Sequence, residues 1–70
     1  NLQLGSTCVE PGEDLLLNQS GVIRLYDSLG RLIAYYNMSG AAAPIVLQAP
    51  TIPGVYLLSV NDSTIRFIVK

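Results

Sequence analysis

The sequence predicts an all-β sandwich of about seven short strands, and two features of its texture carry that expectation. Apolar runs of about four to seven residues, rich in Val, Ile, Leu and Tyr, recur along the chain, and clusters of Gly, Pro, Asn, Asp and Ser interrupt them at intervals of about ten. Composition agrees: half of the 70 residues are hydrophobic and 13% are charged, so the chain has enough apolar surface to fold. At this length it forms one small domain, residues 1–70, whose apolar side chains go into a single core.

Each element has its own local reason. Residues 2–4 and 7–9 are weak strand candidates, and residues 15–18 form a stronger one after the Gly12-Glu13-Asp14 break. Val22-Ile23-Arg24-Leu25-Tyr26 is dense in β-formers, Asp27-Ser28-Leu29-Gly30 follows, and residues 31–37 return. Asp in the first turn position and Gly where φ must be positive suit a type I turn closing in a G1 bulge, hence a hairpin. Leu32, Ala34, Met38 and the Ala41-Ala42-Ala43 run would also suit a helix over residues 31–43. Gly30 and Gly40 bracket that segment too closely, and adjacent Tyr35 and Tyr36 favour the strand.

Pro44 opens the run Ile45-Val46-Leu47-Gln48, which suits an edge or entry strand. In Thr51-Ile52-Pro53-Gly54 the proline presets φ and the glycine tolerates the positive φ of a type II turn. In the strand that leaves it, residues 55–60, Tyr56, Leu58 and Val60 point inward, with Val55, Leu57 and Ser59 outward. After the Asn61-Asp62-Ser63 turn, Ile65, Phe67 and Val69 face the core while Arg66, Ile68 and Lys70 face out, completing a C-terminal hairpin. Tyr56 is expected to be a core aromatic whose hydroxyl reaches a sheet edge or water. Lys70 is expected on the outward face of an edge strand, where it also guards against edge-to-edge aggregation.

The residues that are missing exclude whole classes of chemistry. With no histidine and a single cysteine, the chain has no internal disulfide, no His or Cys zinc cluster, no Ser/His/Asp triad and no Cys/His dyad. Neither a self-contained enzyme nor a bound cofactor is expected. Four basic residues, none adjacent, face five acidic ones for a net charge of -1, which leaves no footprint for nucleic acid. No apolar run approaches the ~20 residues of a membrane-spanning helix, and nothing at the start resembles a signal peptide, so a module cut from a longer chain is expected. Cys8 is expected to fill core space as a small hydrophobe.

Three stretches match a known pattern in order and spacing. Residues 23–33, Ile-Arg-Leu-Tyr-Asp-Ser-Leu-Gly-Arg-Leu-Ile, resemble a V-x-V-Y-D-x-x-G-(K/R)-x-V block. Residues 52–60, Ile-Pro-Gly-Val-Tyr-Leu-Leu-Ser-Val, resemble an L-P-x-G-x-Y-x-x-x-V block, and Phe67-Ile68-Val69-Lys70 resembles a terminal apolar run closed by lysine. Together they resemble the C-terminal sorting domain of the type IX secretion system of Bacteroidetes, over roughly residues 9–70. Near its start the chain departs from that pattern: Glu10-Pro11-Gly12-Glu13 stands where such domains usually carry Asn-Pro.

The resemblance implies an Ig-like antiparallel sandwich that ends an exported protein and carries it from the periplasm through an outer-membrane translocon to the cell surface or medium. It implies translocon and sortase proteins and the parent cargo domain as partners, with no direct insertion into the membrane. A cell-surface cysteine peptidase removes the domain in many such proteins and attaches the cargo to an anionic lipopolysaccharide. The residues it marks for recognition are Gly30, Pro53, Gly54, Tyr56, Val60, Ile68, Val69 and Lys70. Exposed strand edges would offer unpaired backbone groups to a partner strand, or to a second copy in a homodimer. The alternative is an Ig-like accessory module, retained permanently for adhesion, dimerisation or docking on its parent. Asn18, Asn37 and Asn61 each head an Asn-x-Ser match that reads as ordinary turn chemistry, and so do the Asp-Ser pairs at Asp27 and Asp62, which look like Bacteroidetes O-glycosylation sites.

Overall fold

Alternation of buried and exposed side chains along short segments dictates strands, and in the computed structural model, which describes residues 2–70, strands are the regular elements. They are β1 (Cys8–Val9), β2 (Asp14–Leu17), β3 (Val22–Tyr26), β4 (Leu32–Asn37), β5 (Ile45–Gln48), β6 (Gly54–Val60) and β7 (Ser63–Val69). One sheet has five strands in the order β1-β7-β6-β3-β4, and the other pairs β2 with β5. In immunoglobulin terms β7, β6 and β3 hold the G, F and C places, β4 extends them as C′, and β2 and β5 are the B–E pair.

The core lies between the two sheets. Ile23 and Leu25 of β3, Tyr56, Leu58 and Val60 of β6, and Phe67 and Val69 of β7 face Leu15, Leu17, Ile45 and Leu47 of the smaller sheet. Each such side chain contributes roughly 1.5–3 kcal/mol by leaving water. Ala34 and Tyr36 of β4 and Ile65 of β7 pack partly buried at the margin, as does Leu4, which bridges to Leu17.

The expected hairpins form. β3 and β4 pair with a register shift between Leu25 and Tyr26, next to the Asp27–Gly30 turn. β6 and β7 pair along their whole length around a two-residue connection, with Val60 opposite Ser63 and Asn61 at φ 53°. Asn61 also ties this turn to the start of β3: its N–H donates to the Val22 carbonyl at 3.0 Å and its Oδ1 accepts from the Val22 N–H at 3.3 Å.

That side chain occupies the space beside Gly21, whose φ is +147°, and a Cβ there would stand 2.5 Å from Asn61 Oδ1. Gly21→Ala is therefore expected to cost about 1–3 kcal/mol in chemical denaturation, from backbone strain plus displacement of Asn61. An unchanged midpoint would show that Asn61 yields freely.

Four expectations need correction. Cys8 is exposed, not buried, because β1 has one inward position and Val9, 2% exposed, takes it. β1 runs parallel to β7, so the five-stranded sheet is mixed and not wholly antiparallel. Gly54 is not the second central residue of a type II turn: at φ +156° its backbone is far from the ~+80° which that turn requires, and it already pairs with Val69 as the first residue of β6. At Lys70 the sheet has no free edge, since β1 lies beyond β7 there.

Candidate functional site

The register of the C-terminal hairpin gathers most of the residues marked from the sequence at one end of the sandwich. Gly54 lies opposite Val69 and Val55 opposite Ile68, so Pro53-Gly54 stands beside the end of the chain. β3 reaches the same end, where Tyr26 pairs with Leu57 and the chain then turns through Gly30. Gly30, Pro53, Gly54, Ile68 and Lys70 are exposed there. Tyr56 and Val69 are buried beneath them, and Val60 is fully buried at the opposite end of β6, so it reaches no surface.

Gly30 keeps its place through local chemistry. Its N–H donates to the Asp27 carbonyl at 3.0 Å, and its φ of 81° brings Arg31 back so that the Asp27 N–H donates to the Arg31 carbonyl at 3.0 Å. The Asp27 carboxylate accepts from the N–H groups of Leu29 and Arg31 at 2.9 and 3.0 Å, and from Arg31 Nε at 2.7 Å. The Arg31 backbone N–H is the main cause that holds this carboxyl below its ordinary value of 3.8, with the guanidinium and Leu29 N–H adding to it against partial desolvation.

Because the folded pKa is depressed, the carboxylate's contribution to stability is fully present above the unfolded value, near 3.8, and is lost as pH falls through the lowered folded value. A carbon-detected NMR titration is expected to find Asp27 titrating below 3.8; a midpoint at or above it would remove the turn's electrostatic support.

Tyr56 stacks on Phe67, with ring centroids 5.7 Å apart, and its hydroxyl donates to the Ile52 carbonyl at 2.6 Å. The bond ties the start of β6 to the preceding loop and so fixes Pro53. Tyr56→Phe is expected to lower stability by about 0.5–1.5 kcal/mol while the sandwich persists, as a shift in urea midpoint at constant slope. No shift would mean that water replaces the bond without loss.

The end of β7 is fastened from its far side. The Ile68 N–H donates to the Thr7 carbonyl at 2.8 Å and the Lys70 N–H to the Val9 carbonyl at 2.9 Å. Lys70 Nζ lies 3.6 Å from Glu10 Oε1, both side chains more than half exposed, an ion pair worth below about 1 kcal/mol. Sequence reading put Thr7 in a weak strand candidate, Glu10 before a break and Ile52 in a turn, but named none of the contacts that Thr7, Glu10 and Ile52 make here. The four-residue step from Ile52 to Tyr56 across a Pro-Gly turn was a usable signal for the last; the contacts of Thr7 and Glu10 join opposite ends of the sequence and leave no local trace.

The outer face of the larger sheet carries Arg24, whose guanidinium lies 5.4 Å from the centre of the Tyr35 ring, and Arg66, opposite Leu57. Exposed Val55, Ile68, Leu32 and Tyr35 accompany them. A shallow depression lined by Leu4, Leu16, Leu17 and Pro44, among others, contains no charged side chain. Among the described residues no three His, Cys, Asp or Glu side chains gather where they could hold a metal ion. The arrangement offers strand edges and an apolar, cationic sheet face, which suit contact with another polypeptide. No protein-family model matches the chain, and no curated protein matches it.

Proposed function

We propose that the chain is a non-enzymatic C-terminal sorting domain of the type IX secretion system, which directs its parent protein across the outer membrane and is read there by translocon and sortase proteins. The observation that carries the reading is the pair of motif blocks together with the terminal Phe67-Ile68-Val69-Lys70, in that order. The fold adds a physical reason for them to act together, since Gly30, Pro53-Gly54 and Ile68–Lys70 share one end of the larger sheet. A reader docking on that end meets all of them at once. The test fuses residues 1–70 to a periplasmic reporter in a type IX host. Surface or extracellular reporter is the expected result; a reporter that stays in the periplasm as a folded protein would sink the proposal.

A permanently retained accessory module is the second reading, and the apolar outer face of Leu32, Tyr35, Val55 and Ile68 favours it, because such a face suits lasting contact with a parent domain. Mass spectrometry of the surface-located parent separates the two. Retention of these residues supports the accessory role, and their removal supports sorting.

A further inference from the structure

Pairing parity decides which backbone groups of β7 face β6 and which face away. Val60 and Ser63 flank the two-residue turn, so the odd-numbered residues of β7 bond to β6 and the even-numbered ones turn outward. Of these, Ile68 and Lys70 are taken by Thr7 and Val9. Thr64 and Arg66 are not, because β1 begins only at Cys8 and pairs only with Ile68 and Val69. One strand thus presents a half-open edge that continues directly into a half covered by a two-residue strand.

The cover is weakly held and poorly matched. Its pairing is parallel and two residues long, against seven paired positions between β6 and β7. Cys8 is exposed, so Val9 alone seats it in the core. Extending the register back by two would set Ser6 opposite Arg66, but Ser6 turns aside and its hydroxyl bonds the backbone of Cys8 instead. Arg66 has no ion-pair partner among the described residues, and the one partner of Lys70, Glu10, belongs to the cover itself.

We infer that β1 is a displaceable strap, and that the β7 edge it half covers docks an extended segment of a partner protein, running parallel to β7 and displacing residues 7–9. The open groups of Thr64 and Arg66 are where the incoming strand starts, and the strap's backbone bonds are then exchanged one for one. The register specifies the occupant: an acidic side chain opposite Arg66, apolar side chains at the places of Cys8 and Val9, and a second acid at the place of Glu10. This names the docking edge for the sorting reading and rests on that reading only for the partner's role in export.

Cys8 supplies the test, because it stands directly opposite Ile68 across the parallel pair, the separation at which an Ile68→Cys variant can form a disulfide. Oxidised, the variant staples the strap shut; reduced, the same variant controls for folding and for the loss of Ile68. The probe is a labelled peptide, Thr-Val-Glu-Thr-Val-Val-Glu, followed by fluorescence anisotropy and amide hydrogen exchange. The wild-type chain is expected to bind, and the oxidised variant at least about tenfold more weakly than the same variant reduced. Bound peptide should slow exchange at Thr64 and Arg66. Arg66→Glu should exchange the preference for a peptide bearing Lys at the third position.

Equal binding by oxidised and reduced forms would overturn the inference. Protection at the open edge of β4, at Tyr35 and Asn37, would overturn it too, as would self-association that covers Thr64 and Arg66 without peptide. A chain that exports its reporter yet never binds the peptide would refute the edge and leave sorting standing. Binding without export would do the reverse.

Discussion

Phe67→Ala is expected to remove at least about a third of the chain's stability. Phe67 is 1% exposed, stands on a strand in the interior of the larger sheet and stacks on Tyr56. Truncation of a buried phenylalanine costs about 3–5 kcal/mol, since the transfer energy is lost and a cavity remains. A domain of this length has roughly 4–10 kcal/mol in total, so the loss takes between about a third of that stability and all of it. A urea midpoint lowered by at least about a third, or loss of the sigmoidal transition altogether, is the expected record. The neighbour Ile68 is 40% exposed, and Ile68→Ala should cost below about 1 kcal/mol. Similar losses from both would contradict the division of β7 into an inward and an outward face.

The second large effect concerns export and is separable from folding. Ile68→Thr combined with Lys70→Ala alters only exposed side chains and keeps a β-branched residue in the strand. Under the sorting proposal, surface display of a fused reporter should fall about tenfold or more, the loss of about 1.4 kcal/mol or more of recognition, while folded reporter accumulates in the periplasm. Asp62→Ala, in the exposed turn at the opposite end of β7, is the matched control and should export normally. Undiminished export of the double variant would show that the chain's end is not the signal. Removing Val69 as well is a poorer experiment, because Val69 is 2% exposed and its loss opens the core.

What the sequence disclosed and what it hid divide by the range of the interactions. The β3–β4 hairpin was legible because its turn is closed by its own residues: Asp27 accepts from Leu29 and Arg31 within four positions, and Gly30 supplies the positive φ. The inward faces of β6 and β7 were legible because runs of seven residues show their period of two. β1 shows no period, being two residues long, so nothing local announced that Val9 would enter the core and Cys8 remain outside. Gly54 misled for a related reason. Pro-Gly is the signature of a type II turn, yet pairing with Val69 draws the glycine into β6 and stretches its backbone. At the candidate site, Gly30, Pro53 and Lys70 could be named one at a time. That β1 lies over the far side of Ile68 depends on contact between opposite ends of the chain, which no window of sequence contains.

The strand order has a consequence in time. β6 and β7, which follow the other five strands in sequence, lie between β1 and β3, so the larger sheet cannot assemble until their hairpin exists. Before then the β3–β4 hairpin has no neighbour beyond β3, and β1 has nothing to pair with. An isolated hairpin of this kind is at best marginally stable in water. Closing the sheet demands contacts between sequence-distant residues, the slow part of folding in β topologies. A chain that emerges from its N-terminal side therefore leaves the larger sheet open until residues 54–69 have emerged. The contacts that finish closure, Ile68 to Lys70 against Thr7 to Val9, thus report that every strand from β1 to β7 is present.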